Sequence, residues 1–257
     1  MVVLTFATPC WVQGTKRLTG FDWRLMFGIG YGYGYGFDMA YLAIVLLSVV
    51  LGALTQGYIN STYKKWSRIG ATAGRTGAQV ARDMLDREGA SSVGIARVAG
   101  HLTDYYDPRD NNLHLSEENY EGGSVASVAV ACHEAGHAVQ TAKGYAFGRF
   151  RTALVPVVNI TQQAWSILFI IGMFSGIAGL TTLAIVCFAF SVLFQLVTLP
   201  VEIDASRRAV RYLAGSGTGI DERGARAVLT AAALTYVAAA LISVLQLLYL
   251  VSRSDRR

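Results

Sequence analysis

Three long stretches of this chain carry no charge. Met39 to Tyr63 is 25 residues between Asp38 and Lys64, Thr152 to Val201 is 50 between Arg151 and Glu202, and Ala227 to Val251 is 25 between Arg226 and Arg253. A helix needs about 20 apolar residues to cross a bilayer. The first and third stretches therefore hold one crossing each and the middle one holds two, with Gly172, Gly176 and Gly179 at its turn. The pattern predicts four spans, at 39–58, 155–174, 178–198 and 228–250. The segment 59–151 alternates differently. "TGAQVARDMLDREG" (Thr76 to Gly89) puts Val80, Met84 and Leu85 on one face of a short helix that stops at Gly89. Two short strands are expected near 97–106 and 111–116, with "DPRDNN" (Asp107 to Asn112) as the turn between them. "SVASVAVACHEAGHAVQTA" (Ser124 to Ala142) reads as a helix capped by Ser124.

Composition agrees with spans rather than buried core helices. The chain is 53% apolar and only 15% charged, with a mean hydropathy of +0.40. The net charge of +5 is not arranged as a basic stripe interleaved with aromatics, so nucleic acid is not expected as a partner. It follows membrane topology instead. Four spans put both termini on one side and the segments 59–151 and 202–226 on the other. On the loop side, near the span ends, lie Lys64, Lys65, Arg68, Arg75, Lys143, Arg149, Arg151, Arg207, Arg208, Arg211, Arg223 and Arg226. On the other side lie Arg24, Arg253, Arg256 and Arg257. Twelve against four places the loops in the cytoplasm. The lone cysteines Cys10, Cys132 and Cys187 form no disulfide framework, which suits a working part facing a reducing compartment. Residues 1–38, with the Gly/Tyr run "GIGYGYGYGF" (Gly28 to Phe37), read as a flexible N-terminal extension. Residues 251–257 read as a short C-terminal tail.

Two of the four histidines fall in "VACHEAGHAVQ" (Val130 to Gln140). On a helix, His133 and His137 are one turn apart and share a face. Two neutral imidazoles so placed bind Zn²⁺, and the glutamate after the first, Glu134, reaches a water activated by the ion rather than the ion itself. Glu134 then serves as general base and passes the proton to the leaving amine. A catalytic zinc needs a third protein ligand. His101 and His114 lie on the expected strands. Glu202 in "LPVEIDASRRAVRYL" (Leu199 to Leu213) is the better choice. Pro200 is expected to end the third span, and a new helix would then carry Glu202 at the membrane surface, with Ala205 and Ser206 allowing close approach to the His helix. Two spans separate His137 from Glu202, so both lie on one side. Asp204 faces elsewhere, and Cys132 reads as a packing residue. Tyr105, Tyr106, Tyr120 and Arg207 are candidates for the oxyanion donor. The strand 111–116 is a candidate edge for adding an extended substrate as an extra strand.

These segments, "HLTDYYDPRDNNLHLSEENY", "VAVACHEAGHAVQ", "LPVEIDASRRAV" and "AAALTYVAAAL", resemble the membrane-bound neutral zinc metallopeptidase family of bacteria over roughly residues 39–251. More distantly, the chain is similar to the CAAX prenyl endopeptidases and their heat-shock membrane protease relatives. In those a glutamate ligand matches Glu202, a following alanine matches Ala205, and an aspartate stands where this chain has Ser206. The resemblance implies a mainly α, multi-span membrane protein with a small α+β cytoplasmic zincin-like metallopeptidase domain. It implies one Zn²⁺ per chain, a peptide or protein substrate, and residence in a bacterial-type inner membrane. Two alternatives stay open: a protease cutting within the bilayer, and a non-catalytic scaffold or regulator that retains the zinc site. The sequence leaves the oligomeric state open.

Overall fold

The computed structural model describes residues 39–71, 74–215 and 221–254. The extension 1–38 and the last three residues of the tail lie outside them. Seven helices and one small sheet are described: α1 (Met39–Trp66), α2 (Gly77–Arg87), β1 (Gly94–Val98), β2 (Tyr105–Asp107), β3 (Asn112–Ser116), α3 (Glu117–Tyr120), α4 (Val125–Ala142), α5 (Ala146–Ser175), α6 (Ala178–Gly215) and α7 (Glu222–Ser254). Four of them, α1, α5, α6 and α7, are long and apolar enough to cross a membrane. They pack in the row α1–α7–α6–α5. The turn between α5 and α6 falls where glycines were expected. Gly176 closes α5 at φ +69, a left-handed conformation that costs glycine nothing. Gly172 lies so close to α6 that a Cβ there would stand 2.8 Å from the Thr181 amide nitrogen.

The helices run past the expected span limits at the end where the remaining elements gather. α6 is the clearest departure. Pro200 does not end it; the helix continues from Ala178 through Pro200 to Gly215. A proline removes one backbone hydrogen bond, and a helix held on both sides by packing tolerates that loss. One continuous rod therefore carries the third span and Glu202 together.

The small domain follows the expected order but not the expected sheet. The stretch 97–106 is not one strand. Its extended run breaks at Gly100 (φ +118) and Leu102 (φ 52), and Asp104 turns inward. The Asp104 carboxylate accepts hydrogen bonds from the Ser116 amide (2.7 Å), the Ser116 hydroxyl and the Asn119 amide (2.7 Å). The result is three strands in the order β1-β3-β2, with β1 parallel and β2 antiparallel to β3. β3 is thus central and paired on both sides, so the expected substrate edge at 111–116 is not available. The free edges belong to β1 and β2. The turn at 107–112 is built as expected, with Asp107 Oδ1 accepting from the Arg109 amide and Asp110 Oδ1 from the Asn112 amide.

α2 starts on a capping box, in which Thr76 and Gln79 bond each other's backbone amides. It buries Val80, Met84 and Leu85 completely. α4 is capped by Ser124, whose Oγ accepts from the Ser127 amide at 3.0 Å. The flank Val125, Val128 and Ala129 is fully buried. α2, α6 and α7 cover it, so α4 is the central helix of this domain, and it is not among the four helices long and apolar enough to cross a membrane.

Candidate metal centre

His133 and His137 project from α4 toward α6, and Glu202 projects from α6 back at them. The two helices approach closely at one point. A Cβ added to Gly136 would sit 2.7 Å from the carbonyl oxygen of Ala205 and 3.2 Å from its Cα. Only a residue without a side chain fits there, and Gly136 lies between the two histidines. At that spacing Glu202 Oε2 is 3.3 Å from His133 Nε2 and 3.5 Å from His137 Nε2. The imidazole rings stand nearly perpendicular, with centroids 4.8 Å apart. Glu202 is almost fully buried.

The outer partners fix which ring nitrogen faces inward. His133 Nδ1 lies 3.1 Å from Ser206 Oγ. His137 Nδ1 lies 3.1 Å from Gln140 Oε1. The Gln140 amide nitrogen donates to the Val201 carbonyl and to Asp204 Oδ2, both at 2.8 Å, so its oxygen must face His137 as an acceptor. His137 Nδ1 therefore carries the proton. The His137 Nε2 lone pair then points at the Glu202 carboxylate, and His133 Nε2 faces the same oxygen. Two imidazole nitrogens and a carboxylate oxygen converge, a ligand set suited to a metal cation. Ligands of a tetrahedral zinc lie about 3.4 Å from one another, given bonds of about 2.0–2.1 Å. The observed separations fit, and all three ligand atoms lie within 4.8 Å of one another. These residues could hold a metal ion.

Two further groups complete the surroundings. Arg151, at the start of α5, is buried and places Nη1 3.6 Å from Glu202 Oε1. The Glu202 carboxylate thus turns one oxygen to the imidazoles and the other to a guanidinium. Glu134 follows His133 on α4. Burial pushes its carboxyl up to about 8, against the downward pull of the His133 charge. A carboxyl so shifted exchanges protons near neutral pH.

The other sequence candidates lie elsewhere. His101 pairs with Glu118. His114 pairs with Asp110 at 2.8 Å, and Tyr105 stacks on its ring. Arg207 is exposed on α6. Tyr106 is buried in the domain core and bonds Asn111, and Tyr120 lies under the Arg97 guanidinium. Cys132 is buried on the far side of α4, where desolvation pushes its thiol up. Three residues at the site carried no sequence signal of their own. Gly136 and Gln140 sit within the motif, where nothing local distinguishes them. Arg151 looked like the cytoplasmic end of an apolar stretch.

A helical protein with four apolar spans and a His/His/Glu cluster beside an acidic residue belongs to the class of membrane-type metal-site proteins. Residues 41–255 match the family described as "Putative neutral zinc metallopeptidase", and the chain belongs to that family. It is also similar to the "Putative membrane protease YugP" of Bacillus subtilis (strain 168). The two are 41% identical over 212 residues, which is 82% of this chain and 94% of that relative. No solved structure matches the chain significantly.

Proposed function

We propose that this chain is a zinc-dependent endopeptidase that hydrolyses peptide bonds of membrane-associated or cytoplasmic proteins at the membrane surface. The observation that carries the proposal is the convergence of His133 Nε2, His137 Nε2 and Glu202 Oε2 at 3.3 and 3.5 Å, with Glu134 next to His133 on the same helix. His133, His137 and Glu202 hold one zinc ion per chain, and Ser206 and Gln140 orient the imidazoles. When bound, zinc lowers the pKa of water and polarises a carbonyl oxygen. Glu134 takes the proton from the attacking water and delivers it to the leaving amine. Arg151 holds the outer oxygen of Glu202. The basic residues near the span ends support a cytoplasmic site in a bacterial-type inner membrane. The burial of α4 among α2, α6 and α7 supports cleavage at the surface rather than within a spanning helix.

The experiment is hydrolysis of casein by detergent-purified protein, wild type beside Glu134→Gln, with zinc content measured on both. The proposal expects equal zinc and at least a hundredfold loss of hydrolysis in the variant, within the ~10²–10⁴-fold typical of general-base removal. Hydrolysis surviving at the wild-type rate overturns the assignment of Glu134.

A further inference from the structure

Among the described residues, Arg151 is the only buried lysine or arginine. The buried carboxylates Asp104 and Asp107 each accept several hydrogen bonds. Arg151 donates none among the described residues. Its ion pair with Glu202 Oε1, at 3.6 Å, is longer than a hydrogen bond. A guanidinium carries five N–H donors in a planar fork. Leaving them unused in a buried cation is costly. The nitrogens are not sealed in, since each keeps some accessible surface. The fork is therefore open to a further acceptor.

That opening lies at the metal centre. Tyr145 fixes the start of α5 against both site helices. Its amide donates to the Gln140 carbonyl of α4 at 2.9 Å, and its hydroxyl to the Pro200 carbonyl of α6 at 3.5 Å. Arg151 follows in the second turn of α5, where it faces Glu202 and its charge also acts on Glu134. Peptide hydrolysis needs a donor for the carbonyl oxygen as negative charge develops on it. Tyr105, Tyr106 and Tyr120 are engaged with His114, Asn111 and Arg97, and Arg207 is exposed. None of them supplies that donor at the site.

We propose that Arg151 is a catalytic residue that donates hydrogen bonds to the oxygen of the scissile carbonyl as that oxygen becomes anionic. The proposal rests on the peptidase reading above. As the water oxygen bonds the carbonyl carbon, the C=O π pair moves onto the carbonyl oxygen and Glu134 takes the proton of the water. The free N–H groups of Arg151 stabilise the new charge and keep their own protons. When the pair returns to re-form C=O, the C–N bond breaks and the leaving nitrogen takes the proton from Glu134. A bidentate pair with Glu202 would have used up the fork. The single long contact to Oε1 holds the guanidinium in place and leaves donors for the substrate.

The test uses the full chain in detergent, loaded to one zinc per chain, and a casein-derived peptide that the wild type cuts, with its C-terminus amidated or free. Arg151→Gln should lower kcat about 10²–10³-fold, the scale of one lost oxyanion donor, and change KM by less than about threefold. In the Glu134→Gln background, adding Arg151→Gln should leave the Kd of the uncut peptide unchanged. The phosphonamidate analogue of the peptide mimics the tetrahedral state, so its Kd should rise by the same factor as kcat/KM falls. Arg151→Lys, which keeps the charge without the fork, should recover part of both. Equal phosphonamidate affinity in wild type and Arg151→Gln, a change in KM alone, or a loss confined to the peptide with a free C-terminal carboxylate overturns the proposal. If the wild type cuts peptides and Arg151→Gln cuts them equally well, this proposal alone fails. If the wild type cuts none, the peptidase reading fails and this proposal with it.

Discussion

Gly136 of α4 and Ala205 of α6 lie so close that a methyl group on Gly136 would stand 2.7 Å from the Ala205 carbonyl oxygen. This contact sets the distance between the helix that carries both histidines and the helix that carries Glu202. Gly136→Ala must push the helices apart or bend one of them, because the obstructing atom is backbone. The expected cost is about 1–3 kcal/mol of stability. Zinc affinity should fall with it, since His133 and His137 move away from Glu202 together. Equilibrium dialysis against a zinc chelator, alongside a thermal melt, checks both. Gly148→Ala is the control, because a Cβ there meets nothing closer than 3.7 Å.

Arg151 faces the oxygen of Glu202 that does not face the imidazoles. Arg151→Gln should leave one zinc per chain at saturation but weaken its binding by about 10–100-fold, as removal of a ligand's outer partner does. Arg151→Lys, which keeps the charge, should recover part of the loss. Competition with a fluorescent chelator measures both variants. Equal affinity in all three proteins would mean that Arg151 does not support the Glu202 ligand.

Gln140 ties His137 to the Val201 carbonyl and to Asp204. Gln140→Ala frees the His137 ring and leaves the Asp204 carboxylate with Arg208, 2.6 Å away, as its remaining partner. Zinc affinity should drop by about tenfold or more. Gln140→Glu should be milder in its effect on His137, since it retains the acceptor. It puts a second carboxylate against Asp204 and should therefore lower the melting temperature.

Asp104 is buried, and desolvation raises its carboxyl above the ordinary value of 3.8 despite the hydrogen bonds from Ser116 and Asn119. A raised folded-state pKa means the folded protein binds the proton more tightly than the unfolded chain. The associated stability is complete below about pH 4 and is lost as pH rises through the folded value. The melting temperature of wild type should therefore decline from pH 4 upward more than that of Asp104→Asn, which does not titrate. At pH 7 the variant should be less stable by about 1–3 kcal/mol, because an NH₂ group meets donors where the carboxylate met them as acceptor. Melting curves across pH 4–8 test both statements.

The spans, the His helix and its Ser124 cap were legible because each is written in local pattern: uncharged length, helical spacing, a capping side chain. The turn at 107–112 was legible for the same reason. Three things were not. Pro200 is a local stop signal, and tertiary packing along α6 overrides it. The break at 99–104 depends on Asp104 finding Ser116 and Asn119, which are distant in sequence. The roles of Gly136, Gln140 and Arg151 exist only across helix contacts. The His–Glu pairing itself was reachable because span parity places both partners on one side before any coordinates are known.

The central claim is a zinc ion held jointly by α4 and α6, and the most direct measurement is zinc stoichiometry by elemental analysis. Wild type is compared with Glu202→Gln, which keeps the size of the side chain and removes its charge, both purified in metal-replete buffer. One zinc per wild-type chain and a large loss in the variant is the predicted result. A full zinc complement in Glu202→Gln, or none in the wild type, would contradict it.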